Sequence, residues 1–371
     1  MCPPLYLFRM SLSLRIVRNK LTVWLLPVAI WSSASAIAVK SAGAQQPHDV
    51  RVRLEAEPGR NLAGALVALV DSANRVYFEA LSNERGLAAL RALPGSYRVR
   101  VRRIGYRPYY SAPVILPREA DLLIRVESPR VVLNTMVVSA RAQCESIDRD
   151  AATLSEVWEE IAKALRASQL TSEDLSAIGY SSVFDRDLDE RGVVLSADTS
   201  ILPAARGRPF AAVEPQRLQR EGYVRGNEAL GWEYFGPDEA VLLSSGFAET
   251  HCFRVVRDKE RMGEIGAAFE PVARRRIPDI KGVLWVDEES SELREITFRY
   301  VNADVVSMFE PGGFTRFQRM PSGAWIVNDW LLRMPKLGRR KGSFQNDLIG
   351  HIERGGTVVG PTALRREPTN R

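Results

Sequence analysis

From residue 50 to residue 139 apolar side chains come in short runs, broken at regular intervals by Gly, Pro and Asn. Residues 50–56 alternate around Val52 and Leu54, and residues 64–71 form a continuous apolar run short enough for a buried strand. Asn74-Arg75 turns the chain into residues 76–82, and residues 83–86 turn it into 87–90. Pro94-Gly95 leads into residues 96–103, and 112–116, 122–127 and 131–139 complete the series. Many short strands with turn residues between them, and no helical period, predict an all-β sandwich.

The pattern changes near Cys144. In residues 151–168, Leu154, Val157, Trp158, Ile161 and Leu165 repeat at helical spacing, and Thr153 with Glu156 matches a capping box. Beyond this helix strands return. Residues 175–184 and 192–198 flank an acidic turn, and 240–245 and 248–257 flank Gly246. Residues 281–286 pair with 293–300, and 314–320 with 324–334, each across a polar turn. Consecutive hairpins predict an antiparallel sheet resembling a half-barrel, with the helix packed on it. The fold class expected is mainly β, a β-sandwich over 45–141 followed by a β-rich α+β domain over 142–354. Residues 355–371, rich in Gly, Pro, Thr and Arg, are expected to be a flexible tail.

Charge alters the picture at two places. Arg15, Arg18 and Lys20, the apolar run 21–30 and Ala42-Gly43-Ala44 make a secretory signal over residues 1–44. That segment holds five basic residues and no acidic one, so the formal +6 falls to about +1 without it. A near-neutral exported chain has no global attraction for nucleic acid. Residues 90–108, LRALPGSYRVRVRRIGYRP, carry six arginines. Strand alternation puts Tyr97, Val99 and Val101 on one face and Arg98, Arg100 and Arg102 on the other. The expectation is a half-buried strand with a solvated basic face that ends near Gly105. A platform for single-stranded nucleic acid would instead interleave exposed aromatics with the cations.

The order LAGALVALVD, NERGLAAL, LPGSYRVRVRRIGY and VVLNTMVVSA resembles the carboxypeptidase regulatory-like domain. The resemblance covers about 90 residues, through Gly64-Ala65 with Val67, Gly86 to Tyr97, and Arg103 to Tyr106. It implies a transthyretin-like or Ig-like sandwich, an accessory module of the carbohydrate-binding-like fold group found beside metallopeptidases and ahead of outer-membrane receptors, with no catalytic residues to transfer. GVLWVDEESSELREITFRYVN and GAWIVNDWLLRMP are similar to the C-terminal part of bacterial secreted proteins that carry this module.

Chemical signatures are sparse. The three histidines, His48, His251 and His351, begin no zinc-ligand pair, and no nucleophile elbow, Walker loop or dinucleotide fingerprint occurs. Asp185-Arg186-Asp187-Leu188-Asp189 begins like a calcium loop, but Glu190 stands where the turn glycine belongs and Ser196 where the final glutamate belongs. Trp232, Trp285, Trp325 and Trp330 could form a sugar- or peptide-binding shelf, but Trp325 with Val327 and Trp285 with Val283 sit at strand spacing, which favours core packing, and Arg274-Arg275-Arg276 is expected in a solvated loop. No catalytic residue, metal ligand or cofactor is assigned. Two cysteines outlast the signal in an oxidising compartment, so a Cys144–Cys252 disulfide is expected. A cysteine after the first domain and an H-C-F strand also recur in the similar secreted proteins. Arg98, Arg100, Arg102, Tyr106 and Trp232 are the candidate binding surface. The function expected is a non-catalytic envelope protein, in the periplasm, at the outer membrane or outside the cell, that binds a protein, peptide or glycan. The alternatives are an envelope hydrolase with carboxylates from the C-terminal domain, or a periplasmic component of an outer-membrane receptor. No nucleic-acid partner and no transmembrane helix after signal removal are expected.

Overall fold

The structure is a computed structural model that describes residues 46–57, 59–118, 120–126, 151–172, 179–203, 209–210, 213–227, 231–339 and 346–359. The expected signal segment, the strand at 131–139 and Cys144 lie outside the described residues. The fold is mainly β, with five short or medium helices and no closed barrel among the described residues.

The N-terminal half is built from two sheets. In the first, β1 (His48–Glu57) pairs with β2 (Arg60–Asn61), antiparallel with β5 (Leu87–Ala92), and parallel with β9 (Leu122–Arg125). In the second, β3 (Leu66–Val70) lies between β4 (Val76–Leu81) and β6 (Gly95–Arg103), and β6 also pairs with β7 (Tyr106–Tyr110) and β8 (Val114–Leu116). Val52, Leu54, Val67, Leu69, Leu90, Val99 and Val101 fill the space between them. The Pro94-Gly95 turn has a local cause: the Tyr97 ring folds back over Gly95, where a Cβ would lie 3.2 Å from it, and its hydroxyl donates to Leu93 O at 3.0 Å. Gly105 ends β6 with φ +77°, a conformation that favours glycine.

The other half is centred on a nine-stranded antiparallel sheet. β14 (His251–Val256), β15 (Glu264–Pro271), β16 (Asp279–Asp287), β17 (Leu293–Val301), β18 (Gly312–Arg319), β19 (Trp325–Arg339) and β20 (Asn346–Val359) follow one another as a meander. β20 then pairs with β10 (Tyr180–Leu188), whose outer neighbour is β11 (Val194–Pro203). Helix α1 (Ala151–Ser172) packs Val157, Ile161, Ala164 and Leu165 against Ile265, Phe269, Ile296, Phe298 and Trp325 from the sheet. α2 (Pro215–Glu221), the hairpin of β12 (Val224–Asn227) and β13 (Gly231–Tyr234), α3 (Glu239–Leu242), α4 (Ser245–Thr250) and α5 (Asp304–Ser307) complete this half. The described residues fall in one compact unit.

Several expectations are corrected. α1 begins at Ala151, so Thr153 lies inside the helix, buried and with Oγ1 unpartnered, instead of capping it. The run 240–245 is helical because Asp238 and Ser244 each accept a backbone N–H three residues on, from Val241 and Phe247, nucleating two short helices. The acidic stretch 185–189 is largely strand β10 and not a turn. Asp187 accepts from Lys336 at 2.6 Å, and only Asp189 folds the turn, taking N–H groups of Arg191 and Val193. β20 continues through Val359, past the expected start of the tail. Gly355 and Gly356 are close-approach positions there: a Cβ would meet the Phe184 ring at 2.3 Å or Trp330 Nε1 at 2.6 Å.

Candidate functional site

The arginine face of β6 is only partly solvated: Arg100 and Arg102 converge on Glu79, which Arg166 of α1 also reaches. Register sets Arg100 opposite Ala68 and Ala68 opposite Glu79, so the small alanine lets the two long side chains meet above it. Glu79, 5 % exposed, accepts from Arg102 Nη2 at 3.1 Å and Arg166 Nε of α1 at 2.8 Å, with Arg100 Nη2 at 3.6 Å. Burial works to raise the Glu79 carboxyl, but the hydrogen bond from Arg166 and the charges of Arg102 and Arg166 outweigh it and hold it below the ordinary glutamate range. One turn earlier on α1, Lys163 Nζ donates to Glu160 Oε1 at 2.7 Å and to Tyr106 O at 2.8 Å, while Gly105 N–H donates to Glu160 Oε2 at 2.8 Å. Both side chains of that pair are buried, and burial raises the Glu160 carboxyl.

The five residues of the expected binding surface are therefore not one surface. Arg98 donates to Asn74 Oδ1 and lies over the Tyr110 ring, while Arg100 and Arg102 belong to the Glu79 cluster. Tyr106 sits beneath the Arg103 guanidinium, and Trp232 packs from β13 against the core beneath α1. Cys252 is part-buried on β14, and its expected partner lies outside the described residues. Arg275, expected in a solvated loop, instead binds buried Asp279. His251 completes that cluster: its Nε2 lies 3.2 Å from Asp279 Oδ1, and its ring stacks on Phe247 at 4.0 Å. Burial raises the phenol of Tyr223, and the negative charge of Asp279 adds to that rise.

A concavity lies between α1 and the sheet. Leu165, Ser168 and Thr171, three residues apart, present one side of α1 to it. Across the sheet, Ile296, Thr315, Trp330 and Gly356 are register neighbours on β17, β18, β19 and β20, which places them in one row. Trp325, Phe317 and Val327 extend the wall, and Phe210 closes against Phe298 and Trp330, with ring centroids 5.8 and 6.4 Å away. About 50 Å³ admits the centre of a water-sized molecule, so the space is narrow. Trp285, Trp325 and Trp330 are buried, as expected of core residues, and the last two are wall residues as well.

Hydroxyl, amide and carboxylate side chains interrupt the apolar wall, among them Ser168, Thr171, Asp238, Glu239 and Asn328. Ser168 Oγ donates to Glu239 Oε1 at 2.7 Å, and Asp238 accepts from Val241 N–H, so the two carboxylates that border the cleft carry structural hydrogen bonds. Thr171 Oγ1 and Trp325 Nε1 are buried with no protein partner. No Lys, Arg or His lines the cleft among the described residues. A second, more open groove, lined by Cys252, Arg254, Glu270, Lys281 and Arg299 among others, runs over β14 to β17. The sequence signal for the cleft was the pair of hydroxyls, Ser168 and Thr171, on the buried side of α1. No helix among the described residues is long and apolar enough to cross a membrane. No family model, curated protein or solved structure matches the chain.

Proposed function

We propose that the chain is a non-catalytic binding protein exported to the bacterial envelope. In this reading the cleft beneath α1 receives a small apolar ligand, and the N-terminal sandwich, which resembles a carboxypeptidase regulatory-like module, docks the chain to an envelope partner. The observation that carries the reading is the cleft itself: four aromatic side chains, Phe210, Phe317, Trp325 and Trp330, set with aliphatic ones among interspersed polar groups, the composition of a ligand pocket. The hydrolase alternative calls for two carboxylates facing each other across a substrate. Asp238 and Glu239 are sequence neighbours on one helix start, each already hydrogen-bonded. A Cys144–Cys252 disulfide is part of the same proposal and suits an oxidising compartment.

Native mass spectrometry of the chain, extracted gently from envelopes, tests the reading beside turnover assays on fluorogenic peptides and glycans. The expected result is a co-purifying small molecule that Val327→Phe, which narrows the cleft, excludes, and no turnover. Turnover abolished by Glu239→Gln would sink the proposal. For the disulfide, two titratable thiols in the native exported chain would contradict it.

A further inference from the structure

The register of the large sheet lines up a set of charges on its other face. Lys281 of β16, Arg299 of β17, Gly312 of β18, Arg333 of β19, Glu353 of β20 and Arg186 of β10 each stand opposite the next, in one row over six strands. Phe298 and Leu332, the chain neighbours of Arg299 and Arg333, are core residues, so alternation turns the row away from α1. Four cations share one carboxylate there. Arg333 and Arg186 both approach Glu353, at 3.8 and 3.7 Å, and Arg299 donates to Glu310, which is 73 % exposed. Lys281 has no ion pair among the described residues and directly opposes Arg299, a like-charge pairing that costs stability until an anion bridges it. The open groove over β14 to β17 meets this end of the row and adds Arg254, against one further carboxylate, Glu270. The surroundings narrow the class of anion. Phe314 and Phe184 flank the row, but Arg316 lies over one ring at 4.2 Å and Arg186 over the other at 4.0 Å, so neither is an open platform for stacking bases. A membrane-surface face presents exposed apolar side chains, whereas Phe184, Phe314 and Leu331 are half-buried. Arg299, Arg333 and Arg186 are two strands apart in succession, about 9.6 Å each. A polyproline II chain repeats every three residues, at about 9.3 Å, so carboxylates at that interval meet the three in turn.

We infer that this row is a docking surface for an extended acidic polypeptide segment. It is separate from the cleft, since no residue of the row lines that space. Fluorescence anisotropy of the full chain with labelled deca-glutamate tests this, with decathymidylate, polygalacturonate and phosphatidylglycerol vesicles as competitors. The expected result is saturable deca-glutamate binding that weakens as salt rises, with each competitor displacing it poorly at equal charge. Lys281→Gln with Arg333→Gln is expected to weaken it about tenfold, two exposed ion pairs of about threefold each at separate places. Lys281→Gln alone breaks no ion pair and is expected to weaken it about threefold, which keeps the test decisive if the double variant fails to fold. Arg91→Gln, which removes an exposed arginine of the sandwich, is expected to leave binding unchanged. An equal loss in Arg91→Gln and Lys281→Gln overturns the proposal in favour of general attraction to a cationic surface. A competitor that displaces deca-glutamate more strongly than unlabelled peptide overturns the polypeptide class. Absence of deca-glutamate binding at low salt overturns the docking surface altogether and leaves the cleft reading standing.

Discussion

Lys163 and Glu160 show how single residues fasten the two halves. Their side chains are buried, and every strong contact they make runs either to each other or to the Gly105-Tyr106 backbone at the end of β6. Removing one partner strands the other in a low-dielectric place, so Lys163→Met is expected to cost about 3–5 kcal/mol, read from urea denaturation. Glu79 and Glu160 give opposite pH signatures at the same seam. The lowered pKa of Glu79 means its stabilisation is complete above the unfolded value, about 4.3, and is lost as pH falls through the lowered one. The raised pKa of Glu160 means the reverse: its contribution is complete below about 4.3 and declines as pH rises through the raised value. Stability measured across the acid range is therefore expected to fall less steeply toward low pH in Glu79→Gln. It is expected to lose less on rising above the unfolded value in Glu160→Gln. An unchanged profile in both variants would contradict this assignment. Thr171 carries a subtler expectation. Replacing an unpartnered buried hydroxyl by a methyl of the same shape is nearly neutral or stabilising, so Thr171→Val is expected to keep or raise the denaturation midpoint.

At the scale of elements, what was legible depended on whether a pattern is local. The alternation of Tyr97, Val99 and Val101 with three arginines places β6 from the sequence alone, and the hairpin of β16 with β17 is equally plain. That α1 joins the Glu79 cluster with Arg100 and Arg102 was not legible, because Arg166 lies 87 positions from Glu79 and no local period links them. The short helices α3 and α4 were read as strands, since an apolar run of that length fits either and the caps at Asp238 and Ser244 decide it. Glycines misled at the other end. Gly355 and Gly356 look like a frayed terminus in sequence, yet they let Phe184 and Trp330 lie flat against β20. Gly355→Ala and Gly356→Ala are each expected to destabilise by about 1–3 kcal/mol through overpacking, checked by thermal denaturation. The same two changes would be silent in a frayed tail.

For the whole molecule, the sandwich and the large sheet share α1, and Leu66 and Ile104 of the sandwich belong to the core cluster of the other half. Gly64 and Gly323 meet so closely that a Cβ on Gly64 would lie 2.3 Å from the carbonyl oxygen of Gly323. Such contacts couple the halves, so hydrogen exchange in rising urea is expected to release β3 and β6 together with β16 to β19, in one transition. The cleft sits on the far end of the same helix, in Leu165, Ser168 and Thr171. The sequence favoured core packing for Trp325 and Trp330 over an exposed shelf. It could not show that they also line a cleft, which depends on how α1 crosses the sheet. The central claim is that this space is the binding site. Its most direct test is a ¹⁵N-indole spectrum of the chain titrated with 1-hexanol, with the Trp325 resonance assigned through Trp325→Phe. The account predicts a saturating shift of the Trp325 indole with Trp158, which is not on the cleft wall, unmoved. A Trp325 resonance that stays fixed while other indoles respond would contradict it.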